Sequence, residues 1–252
     1  MRLHTCLSAT LLTGLMPLAA CAGLPVDVAI YDRTAGQLLP VYWHDGERHV
    51  VGEPGHEYEL RVRNRTGGRV LAVASVDGVN VVSGRIAATD QGGYVIGPHD
   101  SVGIDGWRKS LDAVAAFYFT SLPDSYAART GRPDNVGVIG VALFRERPQR
   151  QLQPLVSPSA DAAAEAPAGN RSAKSEAGSA AATEDRLGTG HGQRLDSSAV
   201  YTRFERASDR PVATIRIFYD SYRNLVAQGV IPGPRYAQRR PDPFPGGFVP
   251  DP

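Results

Sequence analysis

The sequence predicts an all-β protein: an antiparallel β-sandwich with one short C-terminal helix and a long disordered insertion. Residues 24–147 are rich in β-branched and aromatic side chains, and Gly, Pro, Asp or Asn interrupts them every 6–12 positions. No stretch of this block sustains the helical periodicity of about 3.6 residues. Many short strands with frequent turns favour two packed sheets over a helical or α/β fold.

The first strands are predicted from the alternation of apolar and polar side chains, which turns one face of a strand towards the core. Val26–Tyr31 and Glu57–Val62 both alternate in this way. Asp77-Gly78 divides the apolar run Val70–Val82, and an Asp-Gly pair suits the positive φ angles of a tight hairpin turn. The pair Asp45-Gly46 predicts another turn. Further strands are predicted at Tyr94–Ile96, Ser101–Ile104, Ala113–Thr120 and Val136–Arg145.

Two of these segments, Ala113–Thr120 and Val136–Phe144, are almost continuously apolar. A strand with apolar side chains on both of its faces is typically buried on both faces by other parts of the protein. We therefore expect these two strands to be central in their sheets.

The strand pattern stops at residues 148–186, which separate the predicted sandwich core (21–147) from the rest of the chain. These 39 positions hold 11 Ala, 5 Ser and 4 Pro, and no aromatic residue. Such a composition cannot bury enough apolar surface to offset the loss of chain entropy. The segment is therefore predicted to be a disordered linker.

Residues 187–231 regain strand character, with strands predicted at Ser198–Arg206 and Val212–Tyr219. A short helix is predicted at Tyr222–Gln228, capped by Asp220 or Ser221 and ended by Gly229. About 45 residues are too few to hold a core alone. We therefore expect this piece to dock on the first block, the alternative being a second independent module. Residues 232–252 contain 7 prolines and 3 glycines and are predicted to form an irregular tail.

The run Leu187–Gly192 places three glycines around Thr189 and His191. Glycines allow a backbone to approach an anion or a sugar closely. The run lacks the spacing of a dinucleotide-binding loop and the lysine of a P-loop. The simpler interpretation is a glycine-rich re-entry from the flexible linker into the folded domain.

The N-terminal segment combines Arg2, an apolar stretch over Leu7–Leu18 and the tetrapeptide Leu18-Ala19-Ala20-Cys21. An aliphatic residue, two small residues and a cysteine resemble the lipobox of a bacterial lipoprotein precursor. The resemblance implies that residues 1–20 are a signal peptide and that the Cys21 thiol receives a diacylglycerol before becoming the new amino terminus. The alternatives are an ordinary secretory signal and an uncleaved anchor.

The residue after the cysteine is Ala22 and not aspartate. By the same resemblance, this residue implies sorting to the outer membrane, with the protein facing the periplasm. Palmitate and other acyl chains would then hold the protein to the membrane, because each buried methylene contributes about 0.8 kcal/mol.

Composition excludes several classes of function. Lys and Arg total 27 and Asp and Glu total 26, so that removal of Arg2 leaves 26 of each in the mature chain. This balance argues against a nucleic-acid-binding protein, which needs a dominant basic face. The two cysteines are Cys6, which leaves with the signal peptide, and Cys21. A mature chain with Cys21 acylated has no thiol for a disulfide, a metal site or a nucleophile.

No catalytic motif is found, and neither a metal site nor a cofactor is predicted. One group mixes aromatic rings with hydrogen-bonding groups near predicted loops, which is how β-sandwich modules hold sugars. The alternative is that its aromatic rings simply fill the ends of the sandwich. The predicted ligand-binding residues are Trp107, Tyr126, Asn80, Arg108 and Arg129.

We therefore expect a lipid-anchored protein of the bacterial cell envelope that acts by binding or structural interaction, without catalysis. Its expected partners are the membrane, through the anchor, and envelope proteins or glycans. One alternative is a carbohydrate- or peptidoglycan-binding module that uses Trp107 and Tyr126. The others are an envelope hydrolase using His99 and His191, and an accessory subunit of a surface or secretion assembly.

Overall fold

A computed structural model of the chain describes residues 24–148 and 186–233. In these ranges, 14 strands form two sheets, and the predicted all-β fold is confirmed. The predicted signal peptide, Cys21 and most of the predicted linker and tail lie outside the described residues. The strands are β1 (Val26–Asp32), β2 (Gln37–Leu38), β3 (Tyr42–His44), β4 (Glu47–Val51), β5 (Glu57–Asn64), β6 (Val70–Val76), β7 (Val79–Asn80), β8 (Tyr94–Ile96), β9 (Ser101–Ile104), β10 (Gly106–Arg108), β11 (Ala113–Ser121), β12 (Val138–Arg145), β13 (Leu187–Asp196) and β14 (Ala213–Asp220).

The first sheet is antiparallel throughout. β5 pairs with β1 over the whole of both strands, and β1 pairs with the short β2. β11 pairs with β13 along one edge and with β10 and then β5 along the other. β9 also pairs with β5, so that β9 and β10 fill the space where β5 and β11 diverge.

The second sheet has the order β3-β4-β14-β12-β6-β7, with β8 also paired to β6. Its pairs are antiparallel except β14 with β4, which is parallel. This pair makes the sheet mixed, whereas the sequence predicted antiparallel strands. The parallel pair arises because β14 enters between two strands, β4 and β12, that precede it in the chain.

Residues on both sides of the predicted linker build both sheets. β13 lies beside β11 in the first sheet, and β14 lies between β4 and β12 in the second. One hydrophobic cluster takes side chains from both sheets, which pack as a sandwich. Among its fully buried members are Leu60 and Phe117 of the first sheet and Ile139 and Ile217 of the second.

The predicted turns and central strands are confirmed. Asp77 and Gly78 have φ angles of 52° and 73°, and they join β6 to β7. Asp45 and Gly46 likewise have positive φ angles and join β3 to β4. β11 and β12 each have strands on both edges, as the apolar runs predicted.

One strand of the segment after the linker was not predicted, and one predicted strand is wrong. Leu187–Gly192, interpreted as the re-entry into the folded domain, is the first half of strand β13. Ser198–Arg206 is extended but forms no strand, apart from an isolated bridge between Arg206 and Glu146. This segment crosses from β13 in one sheet towards β14 in the other, and its backbone pairing with the end of β12 is limited to its last residues, where the Arg147 N–H donates to the Glu205 carbonyl.

The predicted C-terminal helix is present as α2 (Tyr222–Ala227). The Ser221 hydroxyl accepts a hydrogen bond from the Asn224 N–H at 3.3 Å, and Gly229 with φ 77° follows the helix. The structure adds two short helical segments that were not predicted, α1 (Tyr126–Arg129) and a 3-10 turn at Pro133–Asn135. No helix among the described residues is long and apolar enough to cross a membrane.

Candidate functional site

A buried polar network lies between the two sheets at the β6–β7 turn. The Asp77 carboxylate, 1% exposed, accepts hydrogen bonds from the Tyr219 hydroxyl at 2.5 Å and from the Thr189 N–H at 2.8 Å. The Gly137 N–H donates a third, at 3.0 Å. The Thr189 hydroxyl lies 2.7 Å from the Tyr219 hydroxyl and 2.6 Å from that of Tyr58. The network thus joins strands of both sheets.

Burial dominates the electrostatics of this network. It raises the pKa of Asp77 from 3.8 to about 6, although the three hydrogen bonds to the carboxylate act in the opposite direction. Burial and the nearby Asp77 charge also raise the pKa values of Tyr58 and Tyr219 well above their ordinary value. All of these side chains are enclosed. The network therefore stabilises the fold and offers no surface to a ligand.

Trp107 of the predicted ligand-binding set packs inside the sandwich. It is 3% exposed, and its ring meets that of Phe117 edge to face at a centroid distance of 4.8 Å. Its indole nitrogen is buried without a hydrogen-bond partner among the described residues. The Tyr126 and His191 rings lie on its outer side, at 4.8 and 6.3 Å. The structure therefore brings Trp107 and Tyr126 together, with only the outer rings near solvent.

His191 was one of the histidines considered for a hydrolase. Its pKa is lowered by partial burial, and the nearby charges of Lys109 and Arg129 act in the same direction. Arg129, another predicted site residue, is exposed at the end of α1. Tyr126 and Arg129 therefore both have side-chain atoms accessible to solvent on this side of the sandwich.

Asn80 and Arg108 are engaged in holding the chain. The fully buried Asn80 amide donates to the Gly92 carbonyl, and its side-chain oxygen accepts the Val82 and Ser83 N–H groups. The Arg108 guanidinium donates to the Tyr94 hydroxyl and to the backbone oxygen and hydroxyl of Ser197. Asn80 therefore fixes the loop before β8, and Arg108 fixes the chain that follows β13.

These two residues support a groove that sequence analysis did not predict. Residues 197–206, here called the crossing segment, run over the side of the sandwich and enclose a cavity of about 600 Å³ against β8, β9 and β10. Tyr94, Arg108 and Phe204 line the cavity together with Tyr201, which is 90% exposed. Aromatic faces beside polar groups in an open groove suit an extended ligand such as a glycan strand.

The crossing segment is fastened at both of its ends. The Ser197 N–H donates to the Asp112 carbonyl at 2.8 Å. At the other end, the Arg206 guanidinium donates to the Thr89 and Gln91 carbonyls and lies 4.0 Å from the centre of the Phe144 ring. The groove is thus bounded by anchored chain, while Tyr201 at its rim remains free to contact a partner.

One serine, Ser75, and one of the histidines considered for a hydrolase, His99, lie near opposite ends of β6. The Ser75 hydroxyl faces the Gly140 carbonyl in the second sheet, whereas the His99 N–H donates to the Thr66 carbonyl before the opposite end of β6. A different pair, His56 and Asp32, is hydrogen-bonded at 2.7 Å. Among the described residues, these two side chains form hydrogen bonds with each other and with the Ala35 N–H, and with no nucleophilic side chain.

Histidines 44 and 49 face each other across the β3–β4 hairpin, with ring centroids 6.3 Å apart. His49 is buried against Phe218, and burial lowers its pKa. Residues 24–148 and 186–233 hold no group of three or more His, Cys, Asp or Glu side chains that could bind a metal ion.

Comparison of the chain with models of protein families, with curated proteins and with solved structures finds no match. The ligand-binding role of Trp107, Tyr126, Asn80, Arg108 and Arg129 stays a prediction. The sequence signal for the groove was weak, because the residues that line it are distant in the chain.

The Asp77 carboxyl predicts a specific pH dependence of stability. Its pKa is higher in the folded state than the unfolded value of 3.8. Its contribution to the free energy of unfolding is therefore fully present below about pH 4 and is lost as the pH rises to about 6. We expect the Asp77 contribution to the free energy of unfolding, taken as the difference between wild type and Asp77→Asn, to fall by about 3 kcal/mol over this window. The lowered pKa values of His49 and His191 act on both proteins alike and in the opposite direction. Urea unfolding at a series of pH values between 4 and 7 measures it.

Asp77→Asn should abolish this slope, because the amide does not titrate. It should also lower the free energy of unfolding by about 1–3 kcal/mol, since an amide N–H would oppose the Thr189 N–H donor. Asp134→Asn, at an exposed position, is the matched control and should retain the wild-type slope. An Asp77→Asn protein with an unchanged slope would contradict this account of the network.

Proposed function

We propose that this chain is a lipid-anchored protein of the bacterial cell envelope that acts by binding or structural interaction, without catalysis. The observation that carries the proposal is the tetrapeptide Leu18-Ala19-Ala20-Cys21 after a short apolar segment. In this proposal Cys21 is acylated and becomes the amino terminus. Ala22 at the next position directs the protein to the outer membrane, where it faces the periplasm.

The length of linking chain supports this arrangement. Strand β1 begins at Val26, so only a few residues separate Cys21 from the sandwich. Three acyl chains anchor a protein far more firmly than a single chain, whose membrane binding is marginal. The sandwich is therefore held close to the bilayer, with its other surfaces free for partners.

The groove beneath the crossing segment favours a second, more specific function: the binding of a carbohydrate such as peptidoglycan. Tyr94 and Tyr201 offer aromatic faces, and Asp90 and Gln91 offer hydrogen-bonding groups in the same cavity. Sugars bind to this combination because their C–H faces pack on rings while their hydroxyls need polar partners. Peptidoglycan is also within reach of a protein tethered at the outer membrane.

The anchor is tested by intact-mass measurement of the protein purified from a bacterial membrane. We expect a chain that begins at Cys21 and carries the added mass of a diacylglycerol and an amide-linked acyl chain. Cys21→Ser should remove this mass and release the protein from the membrane fraction, because no acyl chains then bury in the bilayer. A mature chain with an unmodified terminus at Gly23 would refute the proposal.

Binding of glycan in the groove is tested by co-sedimentation with purified peptidoglycan sacculi. Tyr201→Ala should weaken binding at least about fivefold, because an exposed tyrosine at a binding site contributes more than about 1 kcal/mol. Tyr222→Ala removes another exposed tyrosine, on α2 and outside the groove, and should leave binding unchanged. Equal binding by both variants would exclude the groove as the glycan site.

A further inference from the structure

The end of the sandwich at which β1 begins carries an exposed tryptophan. The chain has two tryptophans, of which Trp107 is enclosed, whereas Trp43 on β3 is 63% exposed. Trp43 and Leu24 line the same shallow cavity of about 310 Å³, together with Phe218 of β14. A large indole left in solvent beside other apolar side chains is typical of an interaction surface.

Two arginines border this tryptophan. The Arg48 guanidinium lies 5.0 Å from the centre of the Trp43 ring, and Arg216 of β14 lines the same cavity. Neither guanidinium forms an ion pair with a carboxylate among the described residues. Glu47 is the acidic residue of the lining. The surface therefore combines an indole with cations that are free to meet an anionic partner.

The position of this surface in the chain indicates which partner it meets. Leu24 lies three residues after Cys21, and three residues span at most about 11 Å. An acylated Cys21 therefore holds Leu24, and with it the cavity that Leu24 shares with Trp43, within a short distance of the lipid headgroups. Tryptophan is enriched at the membrane interface, and arginine is attracted to anionic lipid.

We propose that the surface formed by Leu24, Trp43, Arg48 and Arg216, the Trp43 surface, rests against the headgroups of the membrane that carries the anchor. This inference rests on the proposed lipid anchor and goes beyond it, because it assigns an orientation to the sandwich. Contact at the Trp43 surface fixes how the sandwich is oriented on the membrane.

The orientation is tested with the acylated mature protein in vesicles of phosphatidylethanolamine and phosphatidylglycerol whose acyl chains are brominated. Bromine quenches tryptophan only at close range, so we expect loss of Trp43 emission and a blue shift of the remainder. The control is Trp43→Phe, which leaves only the enclosed Trp107 and should show no quenching. Quenching that is equal in both proteins, or absent from both while they sediment with the vesicles, would overturn the inference.

A second measurement uses the mature sequence with Cys21→Ser and without residues 1–20, for which we expect only weak residual binding to vesicles, through the Trp43 surface alone. Arg48→Gln should lower the binding of this protein to vesicles containing phosphatidylglycerol by about fivefold. It should not change binding to phosphatidylcholine vesicles. Arg85→Gln, at an exposed position outside the Trp43 surface, is the matched control and should change neither. Quenching of Trp43 by added sacculi or protein, and not by brominated lipid, would assign the surface to another partner.

Failure of the two proposals is distinguishable. A protein that lacks acyl mass at Cys21 and does not sediment with vesicles refutes the anchor, and the orientation falls with it. A protein that carries the mass and sediments, yet keeps the full emission of Trp43, refutes the orientation alone.

Discussion

The buried carboxylate of Asp77 is the constraint on which the rest of the structure depends. A charge removed from water must be met by hydrogen-bond donors, or the fold loses several kcal/mol. Two of its donors, the Thr189 N–H and the Tyr219 hydroxyl, come from strands that follow the 149–185 stretch. The turn that holds Asp77 precedes that stretch. The carboxylate is therefore satisfied only when both parts of the chain are folded together.

The sheets impose the same requirement. β14 lies between β4 and β12, so its removal would open two strand edges in the middle of the second sheet. β13 covers the whole of one edge of β11 and contributes Leu187 to the core. Any conformation of residues 149–185 is compatible with this arrangement, because this stretch only has to connect the end of β12 to the start of β13.

The sequence allowed much of the fold to be predicted, because alternation and Asp-Gly turns are local signals. Glu57–Val62 and Asp77-Gly78 show their structure within a few residues. Strand β13 was not predicted, because its glycines are required by residues that are distant in the chain. A Cβ at Gly190, for example, would lie 2.1 Å from the Tyr118 ring. The same limit applied to the site. The sequence left open whether Trp107 binds a ligand or fills the end of the sandwich. Long-range packing encloses it and gives Arg108 a structural role beside the groove.

Two surfaces remain for function, and they lie at different places on the sandwich. The groove beneath the crossing segment offers Tyr201 to a ligand, and the Trp43 surface lies where the chain approaches its proposed anchor. A rigid sandwich keeps these surfaces at a fixed separation, which suits a protein that holds one envelope component beside another. That rigidity depends on strands from both sides of residues 149–185 forming one unit.

The most direct test introduces a site for a specific protease within residues 149–185 and cleaves the folded protein there. The account predicts that the two pieces elute together in gel filtration and unfold in a single urea transition, since each completes the sheets and the buried network of the other. Pieces that separate under native conditions, or that unfold in two independent transitions, would contradict it.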